Sequence, residues 1–322
     1  MKRINRYAVF LFLMMLAVMS CEIDLTLKQQ DLPADISVFG IMSPDTSMQI
    51  MVSKTHLYFI TLGEQMGEES LLPDADVRII VNGKESTAVY DAAVRRFISD
   101  SRARPLDHVE VSVESDGLRS TYCEFQVPAE PKMEILSIEK VFDDIENGDV
   151  SSSFQTYDSD TLAVITLRIT DLPGDNYYRL KVRNEGFSDG ALKVVQNRFT
   201  SGDIVFYDER LYRETSALPA YFSNIFDDRY FDGKEYTFKI ESRIQANYFP
   251  FKDFSEKRIV VELQALSKGL YDYLKAVEIY DRAYEETEHR DEYMEGVVVP
   301  TNMVNGTGAV GAYTRKQSLV EL

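Results

Sequence analysis

The chain has 322 residues, with 53 acidic against 35 basic side chains, a formal charge of −18, no tryptophan and only two cysteines. An acidic balance of this size argues against nucleic acid and anionic lipid surfaces as partners, because both are bound through concentrated Lys and Arg that displace counterions. With 19 Tyr and 18 Phe in a composition that is 44% hydrophobic, the chain reads as a globular, strand-rich protein and not as a disordered stalk.

The N-terminus reads as a lipoprotein signal over residues 1–20. Lys2, Arg3 and Arg6 make a basic start, residues 8–18 are an unbroken apolar core too short for a comfortable bilayer span, and Met19 and Ser20 lead into Cys21. Cleavage before Cys21 would place a lipid on that cysteine and hold the protein at a membrane through it. The alternative is a simple secretory signal or an anchor helix, for which Val18 at minus three is a poor fit. Residues 21–34 then form a tether: Glu22 and Asp24 put acid directly after the lipid, and a polar, Pro-containing run follows. Loss of the signal removes three bases and no acid, taking the formal charge from −18 to −21. It also leaves Cys123 without a partner. Set in Thr121-Tyr122-Cys123-Glu124-Phe125, this cysteine is expected to be a buried strand residue.

Residues 35–128 show short alternating strands separated by turn residues, the pattern of an Ig-like sandwich. Strands at 36–42 and 47–54 flank the turn Ser43-Pro44-Asp45. Strands at 76–81 and 86–90 flank Asn82-Gly83, which suits a type I′ hairpin, and strands at 108–114 and 118–127 flank Ser115-Asp116-Gly117. Pro128 and Pro131 mark the boundary with a second β-rich domain over 129–322. This opens with a strand at 133–141 and a polar, acidic loop at 143–160. Strands at 161–169 and 176–182 around Leu172-Pro173-Gly174-Asp175 then read as a third hairpin. An irregular aromatic run at 199–230 precedes strands at 235–240 and 258–266. Leu270, Tyr273, Leu274, Val277, Tyr280 and Tyr284 recur at three- and four-residue steps and predict an amphipathic helix over 267–288. The fold class is therefore mainly β: two tandem antiparallel β-sandwich-like domains, the second with one helix near the C-terminus.

Catalytic chemistry finds little footing. The three histidines, His56, His108 and His289, are scattered, and the nucleophile elbow, the zinc-protease helix, the phosphate loop and paired Cys-x-x-Cys ligands are missing. No catalytic residue is nominated and no cofactor or metal is called for. Glu285 and His289 lie one helical turn apart, as a solvated dipole partner would. Residues 143–154 fail as a calcium loop, with Ile145 at the third ligand position and Phe154 at the twelfth. Asp227, Asp228 and Asp232 form a second acidic group that suits either a cation or a strand-entry turn. The candidate ligand surface is the aromatic run Phe206, Tyr207, Tyr212, Tyr221, Phe222, Phe226 and Tyr230, since Tyr and Phe on irregular loops give recognition area at low entropic cost. The simpler reading of the same residues is core packing.

Cys21 with its acidic start, the strand entry Asp175-Asn176-Tyr177-Tyr178-Arg179 and the ending Pro300-Thr301-Asn302-Met303-Val304-Asn305-Gly306-Thr307-Gly308 together resemble the Bacteroidota lipoproteins of domain-of-unknown-function family 4249. Val52-Ser53-Lys54-Thr55, Ala75-Asp76-Val77 and the late helix are similar to its pattern in the same order. The chain departs from it at Ala309-Val310-Gly311-Ala312-Tyr313, where a Gly-aromatic-Gly ending is commoner. The family has no settled activity. The resemblance implies an outer-membrane, surface-facing lipoprotein that assists a TonB-dependent receptor by capturing cargo or docking on it. An envelope scaffold or adhesion component without a small ligand is the alternative.

Overall fold

Strict alternation of buried and exposed side chains organises the first half of the chain. In the computed structural model, which describes residues 34–55, 70–142, 161–208, 222–244, 255–285 and 298–321, β1 (Ile36–Met42) and β2 (Met48–Lys54) form an antiparallel hairpin. They bury Ile36, Val38 and Met42 against Met48, Ile50 and Val52. β3 (Asp76–Val81) turns into β4 (Lys84–Asp91) through Asn82 and Gly83, whose φ values of 49° and 78° are the paired positive angles of a type I′ turn. β5 (Arg96–Ser99), β6 (His108–Glu114) and β7 (Thr121–Gln126) complete the run β1-β2-β5-β4-β3-β6-β7. Its core is aliphatic, with Val77, Ile79, Val109, Val111 and Val113 fully buried and Cys123 among them. Each such side chain contributes about 1.5–3 kcal/mol of burial.

The second half contains β8 (Lys132–Phe142), β9 (Thr161–Thr170), β10 (Tyr177–Ser188), β11 (Ala191–Asn197), β12 (Phe199–Thr200), β13 (Ile225–Asp227), β14 (Glu235–Ile244), β15 (Ser255–Leu266), the helix α1 (Lys268–Glu285) and β16 (Thr307–Glu321). A four-stranded sheet in the order β12-β14-β9-β8 packs against the β11-β10-β15-β16 stretch of the larger sheet. Ile165, Leu167 and Ile169 meet Leu180, Val182, Val261 and Leu263 between them. β16 pairs antiparallel with β15 and parallel with β1, so the last strand joins the sheet of the first half to that of the second.

The third hairpin does not form, because β9 and β10 belong to opposite sheets of the second sandwich. The Asp171 carboxylate accepts from the Gly233 amide at 2.8 Å and from the Tyr178 hydroxyl, and these bonds fix the chain as it crosses from one sheet to the other. Both strands therefore send alternate side chains into one core from facing sides.

Helix α1 lies on the face of the larger sheet away from the second core, with Leu270, Tyr271 and Leu274 against Ile41, Tyr177 and Tyr313. It comes so close at Gly311 that a Cβ there would meet Ser267 Oγ at 2.5 Å and Leu270 Cβ at 2.7 Å. Among the described residues no helix is long and apolar enough to cross a membrane. The signal and Cys21, the tether except Ala34, the 143–160 loop, His56, His289, Tyr212 and Tyr221 lie outside the described residues.

Candidate functional site

A cavity of about 470 Å³ opens where the aromatic run, the start of β10 and one face of α1 meet. Three local features build it. Asp203 caps a single 3-10 turn, Ile204–Phe206, by accepting from the Val205 amide; its last residue, Phe206, turns inward and the next, Tyr207, outward. β13 pairs antiparallel with β10 in the register Tyr177 to Asp227, which sets these two side by side. Residues 268, 271 and 275 of α1 fall on one helical face and bring Lys268, Tyr271 and Lys275 to the wall.

The aromatic candidates divide between two roles. Phe206 is 1% exposed, and its ring lies 5.1 to 5.7 Å from those of Phe199, Phe222, Phe226 and Phe238. Phe226 is also core, with one edge reaching the cavity. Tyr207 and Tyr230 are 49% and 51% exposed and stand on the cavity wall. Opposite them Tyr271 packs on Tyr177 with ring centroids 4.6 Å apart, and Lys268 Nζ lies 5.6 Å over the Tyr177 ring.

Every charge in this wall has a partner. Arg229 grips Asp227 through two hydrogen bonds of 2.7 and 2.6 Å, and the Tyr271 hydroxyl adds a third at 3.2 Å. Burial alone would raise the Asp227 carboxyl, but these bonds and the Arg229 charge outweigh it and hold the group below the ordinary carboxylate range. Lys268 pairs with Asp272 at 2.6 Å, which raises its ammonium. Burial raises the Tyr177 hydroxyl, and the nearby Lys268 opposes that shift. Lys275, only 5% exposed, sits 3.0 Å from Asp208 and donates to Ser223 Oγ at 2.7 Å. The Ser223–Lys275 contact has the distance of a nucleophile and its base, but Ser223 is 1% exposed and its oxygen is engaged by Glu278 and the Ile225 amide. It ties β13 to α1. The arrangement offers hydroxyls, aromatic faces and matched ion pairs, which is the chemistry of a binding pocket.

Of the predicted acidic group, Asp227 belongs to this wall, while Asp228 and Asp232 join Asp171 in a cluster whose carboxylate oxygens lie within 4.8 Å of one another. Asp228 accepts from the Asn176 amide and side chain at 2.9 and 3.1 Å, and Asp232 from the Gly174 amide at 2.9 Å. Burial first, then mutual repulsion, raises both Asp171 and Asp228. These bonds fasten the crossing between β9 and β10, a turn-building role. His108 is exposed at a strand start, 3.6 Å from Glu110 and Glu124. Sequence reasoning missed Tyr177, Asp208, Arg229, Lys268, Tyr271 and Lys275; the polar and aromatic positions 268, 271 and 275 on one helix face were the available signal.

No curated protein matches the chain significantly. A solved structure from Corynebacterium diphtheriae, described as a membrane-anchored protein, aligns with a TM-score of 0.20 and 9% identity over 72% of this chain and 54% of its own. The chain thus spans about half the length of that protein. The family model described as "Domain of unknown function (DUF4249)" matches residues 22–318, nearly the whole sequence, so the chain belongs to the DUF4249 family.

Proposed function

We propose that this protein is a lipid-anchored binding protein of the outer membrane, tethered through Cys21 and facing the cell exterior, that captures a ligand for a TonB-dependent transporter. The observation that carries the binding role is the cavity of about 470 Å³ walled by Tyr177, Tyr207, Tyr230 and Tyr271 over matched ion pairs. A scaffold that only spaces other proteins has no use for a concave, aromatic-walled cavity with convergent polar groups; a ligand-binding protein does. Because each charge is already neutralised within the wall, a ligand entering it meets no unpaired ion. The family resemblance and the N-terminal signal pattern support the tether and the transporter partner. No catalytic step is assigned.

The test is affinity purification of the tagged protein from its native host under mild detergent, followed by mass spectrometry, with Cys21→Ala as the control. A co-purifying transporter barrel is the expected result, with the Cys21→Ala variant lost from the membrane fraction and recovered without the barrel. Recovery of the protein alone, or only with other envelope scaffolding proteins, defeats the transporter reading.

A further inference from the structure

The second core takes Tyr178, Leu180 and Val182 from β10, so alternation sends Arg179, Lys181, Arg183 and Glu185 to the opposite face of that sheet. Cross-strand register sets Glu262 and Gln264 of β15 beside them, with Gln317 and Arg315 of β16 beyond. The two buried acids on this face, Glu262 and Glu185, are fully used. The Glu262 side chain, 5% exposed, accepts from Arg183 Nη1 at 3.0 Å and from the Gln264 and Gln317 amides, with Arg315 Nη1 at 3.5 Å. Glu185 is held by Arg183 Nε and Arg258 Nη2, each at 2.7 Å.

Two cations are left over. Lys181 stands directly across from Glu262 in register, but that carboxylate is taken by Arg183 and Arg315, and among the described residues Lys181 has no hydrogen bond or ion pair. Among the described residues Arg179 makes one hydrogen bond, from Nε to Gln264 Oε1 at 2.7 Å, and neither Nη group is claimed there. Burial first, and then the like charges of Arg179, Arg183 and Arg315, push the Lys181 ammonium down against the opposing charge of Glu262. In a chain of net charge −18, this face sets Arg179, Lys181, Arg183, Arg258 and Arg315 against Glu185, Glu262 and Glu321, the register partner of Arg258, with Asp45 on its edge pairing Arg315.

We propose that this face of β10, β15 and β16 is a docking site for a carboxylate-rich segment of a partner protein, received by the Nη groups of Arg179 and by Lys181 Nζ. Charge complementarity identifies the ligand: the Nη groups of Arg179 and Lys181 Nζ are donors only, the planar guanidinium fork matches carboxylate oxygens, and the anions already seated on the face are carboxylates. The surroundings favour a polypeptide over a free ion. Val194, the register partner of Glu185, and Leu319, the register partner of Val260, are 48% and 58% exposed and border the charged strip, apolar side chains that a peptide can cover and a free ion cannot. From Arg179 to Glu185 the strip is about 20 Å long at roughly 3.4 Å per residue, room for a short extended segment. This site adjoins the cavity through Tyr177 on the same face of β10 but shares none of its lining residues.

The test is fluorescence anisotropy on the full-length protein in detergent, using a labelled peptide of alternating Glu and Leu and a second with Gln in place of Glu. Binding of the Glu peptide that weakens with added salt and exceeds that of the Gln peptide is expected. Lys181→Glu, which supplies the missing acid in place, should weaken it at least about tenfold, the size of one charge-assisted hydrogen bond, with Lys181→Gln intermediate. Thermal unfolding checks that each variant is folded; should Lys181→Glu fail, Lys181→Gln carries the comparison. Equal binding of the two peptides, no binding of either, affinity unchanged in the Lys181 variants, or binding to phosphatidylglycerol vesicles in place of the Glu peptide each overturns the proposal.

Discussion

The two hydrophobic cores are filled by different means. The first is nearly all aliphatic, built from Val and Ile on regular strands, with Phe97 the one deeply buried ring among the described residues. The second gathers Phe199, Phe206, Phe226, Phe231 and Phe238 around Tyr178, and several of these come from the irregular stretch between β11 and β14. Small β-branched side chains on regular strands fill this core by simple alternation. Rings supplied by an irregular segment span a less regular gap, and their sequence neighbours are turned outward. Tyr207 follows Phe206 and Tyr230 precedes Phe231, and both tyrosines wall the cavity. The binding surface thus arises where core filling departs from strand alternation.

The largest effects should come from the cores themselves. Phe206→Ala is expected to destabilise by about 3–5 kcal/mol and Met48→Ala by about 2–5 kcal/mol in denaturant unfolding, from lost burial and the residual cavity. The distinction lies in the site: Phe206→Ala should also deform the cavity wall and abolish ligand capture, whereas Met48→Ala should leave capture intact per folded molecule. Equal loss of capture in both variants would break the contrast between the two cores.

Next in size is the buried acid of the sheet that both halves share. Burial pushes Glu262 upward, but its hydrogen bonds and the charges of Arg183 and Arg315 override this and hold it below the ordinary range; Glu185 behaves alike beside Arg183 and Arg258. A folded value below the unfolded one of about 4.3 means that the stabilisation is present above that pH and is lost as pH falls through the folded value. Glu262→Gln is therefore expected to cost about 3 kcal/mol near neutrality. The gap from the parent protein should narrow as denaturant titrations are repeated from about pH 5 downward. A constant gap across pH would show that shape and not charge matters there.

Cys123 gives a smaller effect in the first core. Burial pushes its thiol up to about 12, so it stays protonated and unreactive in the folded state. A thiol reagent at pH 8 should label it only on unfolding, and Cys123→Ser should cost about 2 kcal/mol by placing a hydroxyl in an apolar site. Rapid labelling of the native protein would contradict the burial.

Much of this was legible in the chain, and the gaps have physical causes. Alternation named β1, β2, β3, β6 and the burial of Cys123, and Asn82-Gly83 named its own turn. The pairing of β9 was misread because Pro173 and Gly174 signal a reversal without saying which sheet receives the next strand; bonds from Gly233 and Tyr178 to Asp171 decide that from far along the sequence. β16 was not named, because glycines weaken a strand signal, yet β1 pairs with it in parallel from Thr307 to Ala312 and carries it past Gly308, whose φ of +101° suits glycine. The aromatic run was recognisable as a site or a core but not as both, since outside strands no period tells which ring points inward. The Lys275–Asp208 pair joins a helix to a loop, and no local pattern announces such a contact.

The smallest expected stability change is the most informative about function. Tyr207→Ala and Tyr230→Ala remove half-exposed rings, so each should alter unfolding free energy by no more than about 0.5 kcal/mol. If the cavity is a binding site, these same substitutions should strip the small molecules that co-purify with the parent protein, as read by native mass spectrometry. A variant as unstable as Phe206→Ala would mean that Tyr207 is packing like its neighbour and that the cavity is a gap in the core. A stable variant with an unchanged set of bound molecules would remove the tyrosines from recognition altogether. Only stability kept and capture lost fits a wall whose inward residues hold the fold while its outward residues meet the ligand.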